Sequence, residues 1–198
     1  GEEPGLLHPV RRWSNLSITR IAMGHEVAVT AMQMLNVLCC LGNDGFLMQP
    51  YLVSKVVDKN GVTLQENKPR AVARPVSERT AILMRKMLTE VTLTGGTGTR
   101  AAIPGYLVAG KTGTAEKIVD GRYSKTENVS SFVGMFPADK PEIGIIVVLD
   151  NPHPLRTGGV TAGPVFAEIA APIARYMDIP SMDAEDWVYY EPTQAEAP

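Results

Sequence analysis

The apolar positions along the chain change their spacing repeatedly, and each change marks an element. After Thr30, apolar side chains at Met32, Leu35, Val37, Leu38 and Leu41 recur at helical spacing until Gly42, Asn43 and Gly45 close the run. Thr30 followed by Gln33 is a capping-box pattern, in which each side chain takes an orphan backbone N–H at the helix start. This helix is apolar almost all round, which predicts burial on every face. Apolar runs at 52–58 and 62–65 flank Lys59-Asn60-Gly61, and Asn-Gly between two such runs predicts a β-hairpin. Ser77 supplies the N-cap of a second helix through about residue 91, with Leu83, Met84, Met87, Leu88 and Val91 on one face. The Gly- and Thr-rich stretch 94–99 stops it.

Three apolar runs then read as strands, 106–115, 129–136 and 143–149, the first two joined through a turn at Asp120-Gly121. Pro164 is placed to open a last helix, 165 to about 177, with Phe166, Ile169, Ile173 and Met177 on its stripe. Residues 1–29 carry little period and read as a lead-in. The order helix, hairpin, helix, three strands, helix predicts an α+β fold, with helices packed on an antiparallel sheet. Two segments follow: a domain portion over residues 1–177, and an acidic, proline-ended tail over 178–198 that is expected to be solvated.

Composition narrows the function. With 198 residues, 44% of them hydrophobic and 20% charged, the chain has enough apolar material for one sizeable core. The net charge is −2 and no basic run is interleaved with aromatic residues, so a nucleic-acid surface is set aside. The longest apolar stretch is broken by Thr30, Gln33 and Asn36, too early to span a bilayer, and the N-terminus lacks the pattern of a signal peptide. Cys39 and Cys40 are adjacent and match no metal spacing, which predicts core filler, and His8, His25 and His153 are scattered, which predicts surface or loop positions. No metal or organic cofactor is expected.

Two motifs compete for one lysine. Gly105-Tyr-Leu-Val-Ala-Gly110-Lys111-Thr112 matches the string of a phosphate-binding loop, and the run 146–150 ends in an acid as a magnesium-holding strand does. A phosphate loop needs a strand before it and a helix N-terminus directly after Lys-Thr, and the flanking residues predict neither. The same lysine opens Lys111-Thr112-Gly113-Thr114 on a predicted strand. There an ammonium and two hydroxyls suit an anionic ligand, and Gly113 lets a ligand lie against the backbone. Most isolated triplets of this kind are a surface strand carrying a small-residue bulge, so the triplet alone is weak evidence.

The text around the triplet is more specific. The run from Leu93 to Lys117, with Val29-Thr30-Ala31-Met32-Gln33, with Phe132-Val-Gly-Met-Phe-Pro-Ala138, and with Gly158-Gly159 followed by Ala162-Gly163-Pro164-Val165-Phe166, closely resembles the class B penicillin-binding proteins over residues 10–178. These are monofunctional peptidoglycan transpeptidases. The resemblance implies a serine in a Ser-x-x-Lys motif that attacks the D-alanyl-D-alanine end of a stem peptide and is trapped by β-lactams. It implies that Lys111 supplies positive charge, that Thr112 and Thr114 hold the substrate's terminal carboxylate, that Gly113 allows close approach, and that the Thr114 backbone N–H is an oxyanion-hole donor. No serine of this sequence has Lys three places on or Asn two places on, so the nucleophile is absent and the chain is expected to be the C-terminal portion of the domain, inactive alone. Glu26 and Ala31 stand where many relatives have glycine and proline. The implied partners are stem peptide, β-lactams and other cell-wall synthesis proteins. The implied location is the outer side of the plasma membrane. The other readings are a noncatalytic module that binds cell wall or senses β-lactams, and a P-loop nucleotide triphosphatase.

Overall fold

Local capping chemistry sets the helix starts, and the sheet sets what lies between them. The computed structural model describes residues 3–182 and divides into two compact units, Gly1–Met34 and Leu35–Pro198. The first unit has more structure than a lead-in. Strand β1 (Leu6–Leu7) pairs antiparallel with β2 (Val27–Ala28), and helix α1 (Ser17–Ala22) falls between them in sequence. Elements this short write no period into a sequence, which is why the apolar pattern missed them. Polar contacts replace it: the Glu26 carboxylate accepts from Ser17 Oγ at 2.6 Å and from Arg20 Nη1 at 3.1 Å. These two donors hold its carboxyl below the ordinary carboxylate range. Glu26 sits at φ 59°, in the left-handed region that glycine enters at no steric cost.

Helix α2 (Ala31–Gly42) carries the expected capping box, with Gln33 N–H on Thr30 Oγ1 at 3.1 Å and Thr30 N–H on Gln33 Oε1 at 2.9 Å. It is not buried all round: only Leu38 and Cys40 are buried, while Met32, Met34, Val37 and Cys39 are exposed. Apolar composition on every face does not supply a packing partner for every face. Strand β3 (Leu47–Met48), the hairpin strands β4 (Lys55–Val57) and β5 (Thr63–Glu66), and β6 (Ala71–Ala73) follow. The hairpin is the one expected, its turn held by Asp58 Oδ1, which accepts from the backbone N–H of Asn60 at 2.8 Å and of Val62 at 2.9 Å. The β3 and β6 pairing was not foreseen.

Helix α3 (Glu78–Thr89) starts where Ser77 Oγ accepts from Thr80 N–H at 3.2 Å. Its buried face is rotated from the expected one: Ala81, Arg85 and Thr89 are buried, and Leu83, Met84 and Met87 are exposed. Arg85 takes an interior place because its Nη1 donates to the Leu41 carbonyl at 3.0 Å and to Asp44 Oδ1 at 3.1 Å, which offsets the cost of burying the charge.

The main sheet is antiparallel, in the order β7 (Ala109–Val119), β8 (Arg122–Phe136), β9 (Ile143–Asp150). The first strand begins at Ala109 instead of 106: Tyr106 pairs with Ile103 in an isolated bridge, and its hydroxyl donates to the Ile179 carbonyl at 2.7 Å. Helix α4 (Gly158–Tyr176) opens six residues before Pro164, which lies inside it. The expected stripe is also displaced: Ala162, Phe166, Ala170 and Ala174 are buried, and Ile169 and Met177 are exposed. Small residues gave no hydrophobic signal, yet they are what brings the helix close to the sheet. On that face Phe132, Phe136 and Phe166 are fully buried and meet edge to face, with Phe132 and Phe166 centroids 4.8 Å apart. The opposite face packs Leu107, Ala109, Val133 and Met135 against Leu38. The core also passes residue 177: Ile179 is buried, and Met182 N–H donates to the Gly105 carbonyl at 2.9 Å. The remainder of the acidic tail, 183–198, lies outside the described residues.

Candidate functional site

Strand β7 is the outer strand of its sheet, bonded to β8 alone among the described strands, and residues 111–114 occupy its middle. Strand alternation therefore sorts the four side chains to two faces. Lys111 and Gly113 share the face of Ala109, just past the end of the apolar cluster, whereas Thr112 and Thr114 share the face of Val108, toward α4. The ammonium and the two hydroxyls thus approach a common ligand only around the free edge of the strand. Lys111 is exposed, and its Nζ donates to the Thr112 carbonyl at 2.9 Å.

Both hydroxyls have a hydrogen-bond partner within the chain. Thr112 Oγ1 lies 3.0 Å from Thr97 Oγ1, on the glycine-rich loop after α3. Thr114 Oγ1 accepts from the backbone N–H of Gly158, the first residue of α4, at 3.1 Å. Because an N–H can only donate, this bond occupies an acceptor position of the Thr114 oxygen and leaves its own proton to be donated elsewhere. The approach needs glycine: a Cβ on Gly158 would lie 2.2 Å from the Ser131 carbonyl oxygen and 2.3 Å from that of Gly113. At Gly113 a Cβ would lie 2.4 Å from Ser131 Oγ on the facing strand, an atom that rotation of the serine side chain can move aside.

The geometry does not form a phosphate loop. Lys111 and Thr112 continue as strand to Val119, where a nucleotide site needs a helix N-terminus, so the triphosphatase reading is withdrawn. Among the described residues, no group of three or more His, Cys, Asp or Glu side chains is placed to hold a metal, and no helix is long and apolar enough to cross a membrane. Sequence reasoning missed Thr97 and Gly158 as neighbours of the site. The Gly158-Gly159 pair was visible, but nothing local says that it meets a strand 44 residues earlier.

Comparison with known proteins shows the family of the chain. The family model of the penicillin binding protein transpeptidase domain matches residues 1–171. Stage V sporulation protein D of Bacillus subtilis is 35% identical over 171 residues, which is 85% of this chain and 26% of that protein. The penicillin-binding protein PbpB of Mycolicibacterium smegmatis is 33% identical over 190 residues, 91% of this chain and 29% of that protein. The crystal structure of penicillin binding protein 3 from Mycobacterium tuberculosis complexed with aztreonam superposes with a TM-score of 0.84 at 33% identity, over 92% of this chain and 43% of that one. The chain therefore spans between a quarter and a third of these curated relatives and under half of the solved domain structure.

Proposed function

The chain belongs to the penicillin-binding-protein transpeptidase family, and from that membership we propose that it is the C-terminal portion of a serine-type peptidoglycan D,D-transpeptidase. The observation that carries the reading is the placement of residues 111–114 in the middle of an outer strand, with the Thr114 hydroxyl held by Gly158. In this reading a serine supplied by sequence outside residues 1–198 attacks the D-alanyl-D-alanine carbonyl. D-Alanine leaves, and an amine of a neighbouring stem peptide resolves the acyl-enzyme. The Thr114 N–H stabilises the oxyanion, a role in which one donor is worth about 2.7–4 kcal/mol. Lys111 contributes positive charge beside the leaving end, and the hydroxyls of Thr112 and Thr114 take the terminal carboxylate. β-Lactams occupy the same place, with their own carboxylate on the same hydroxyls. No metal or organic cofactor enters any of these steps. Residues 1–198 alone are inactive, for want of a nucleophile. The whole protein works at the outer face of the plasma membrane, alongside other cell-wall synthesis proteins.

The reading is tested with the full-length protein and a stem peptide ending in D-alanyl-D-alanine, together with an amine-bearing acceptor peptide. Release of D-alanine with formation of a cross-linked dimer, both blocked by penicillin, is expected. Turnover that yields no cross-link, or that penicillin does not block, contradicts it.

A further inference from the structure

Beside Thr114, on the same face of the sheet, β8 carries two buried polar side chains that the reading above does not use. Asn128 is 1% exposed and Ser130 0%. Both converge on one acceptor: Asn128 Nδ2 donates to the backbone carbonyl of Arg156 at 2.7 Å, and the Ser130 hydroxyl donates to the same oxygen. Asn128 Nδ2 also lies 2.9 Å from Ser130 Oγ. The Arg156 side chain closes the network, with Nε on Asn128 Oδ1 at 3.4 Å and Nη1 on the Lys125 carbonyl at 2.5 Å. The connection between β9 and α4 is fixed at its start as well, where Asn151 N–H donates to the Asn128 carbonyl at 2.8 Å. Arg156 stands two residues before Gly158, whose N–H is the one seated on Thr114.

These contacts form a clamp, with β8 holding the connection two residues before the α4 N–H that meets Thr114. We propose that Asn128, Ser130 and Arg156 are positioning residues, acting through Gly158 to keep the Thr114 hydroxyl proton turned outward as a donor to the anionic end of the substrate. This rests on the transpeptidase reading. If the clamp slackens, Thr114 Oγ1 loses a fixed donor, its hydroxyl rotates among other partners, and the anion loses an oriented hydrogen bond. An uncharged ligand at that position would lose far less, because hydrogen bonds to charged groups are the strong ones.

The test compares two acylating probes on the full-length protein, benzylpenicillin as the free acid and its methyl ester. Ser130→Ala removes one of the two donors to the Arg156 carbonyl. The second-order acylation rate for the free acid is expected to fall roughly tenfold, as for loss of one hydrogen bond to a charged group, while the ester rate stays near that of wild type. Arg156→Lys leaves the buried hydroxyl in place, loosens the same turn, and provides the same comparison should Ser130→Ala fail to fold. An equal fall for acid and ester marks a merely structural role and overturns the proposal, as does no fall in either. A wild-type protein that neither probe acylates overturns the transpeptidase reading and this inference with it, and it is recognised before any variant is compared.

Discussion

Lys111→Ala is expected to slow acylation of the full-length protein by penicillin by a factor of roughly 100 to 1000, the range seen when one electrostatic stabiliser is removed from an acyl-transfer site. The side chain is exposed and makes its single described bond to the carbonyl of its own neighbour, so its loss leaves the packing of β7 untouched. The melting temperature should therefore stay within a degree or two of wild type, since a surface change of this kind rarely moves stability by more than about 0.5 kcal/mol. Stopped-flow acylation with a fluorescent penicillin, beside a thermal melt, measures both quantities. An unchanged rate would remove Lys111 from the chemistry and return the triplet to the plain surface strand that most such strings mark. A slow rate with a large loss of stability would show that the lysine holds the strand, a role for which the structure offers no contact.

Phe166→Ala acts at the other extreme, on stability. Phe166 is fully buried between Phe132 and Phe136, and deleting such a ring costs about 3–5 kcal/mol. The upper part of that range is expected, because little beside the ring can fill the space it leaves. The ring lies against Gly134, where a Cβ would come within 2.8 Å of it, so the nearest strand residue has no side chain to move in. Urea unfolding of the full-length protein reads the effect as a lower transition midpoint for the unit that contains α4 and the sheet. A loss below about 1.5 kcal/mol, the size of a volume-conserving swap, would mean that α4 is not seated on the sheet as described.

The parts legible in the sequence are those whose determinants are adjacent in the chain. Thr30 and Gln33, Ser77, and Asn60-Gly61 set their elements through bonds that span a few residues, and each is found where it was read. The three strands were legible from their apolar runs, and the α+β class followed from the order of elements. The faces of α2 and α3 were not, because exposure depends on which partners a helix meets. Arg85 shows why hydrophobic spacing fails there: its charge is buried because Leu41 and Asp44 lie within reach, a fact 41 to 44 residues away in sequence. The start of α4 was missed for a related reason, since Gly158, Gly159, Ala162 and Gly163 carry no apolar signal and matter only through what they allow to approach. At the candidate site the lettering of residues 111–114 was visible at once. Its sorting to two faces, and the bond from Gly158 to Thr114, required the register of β7 on β8 and the position of α4.

In the proposed transpeptidase, residues 1–198 carry the substrate-holding strand and the nucleophile lies outside them. Incubating the 198-residue chain and the full-length protein side by side with a fluorescent penicillin, then weighing each intact and mapping any label, tests it most directly. One covalent adduct per full-length molecule is expected, on a serine outside residues 1–198, and none on the 198-residue chain. A stoichiometric adduct on any of the eight serines within residues 1–198, or a full-length protein that takes no label, would contradict it.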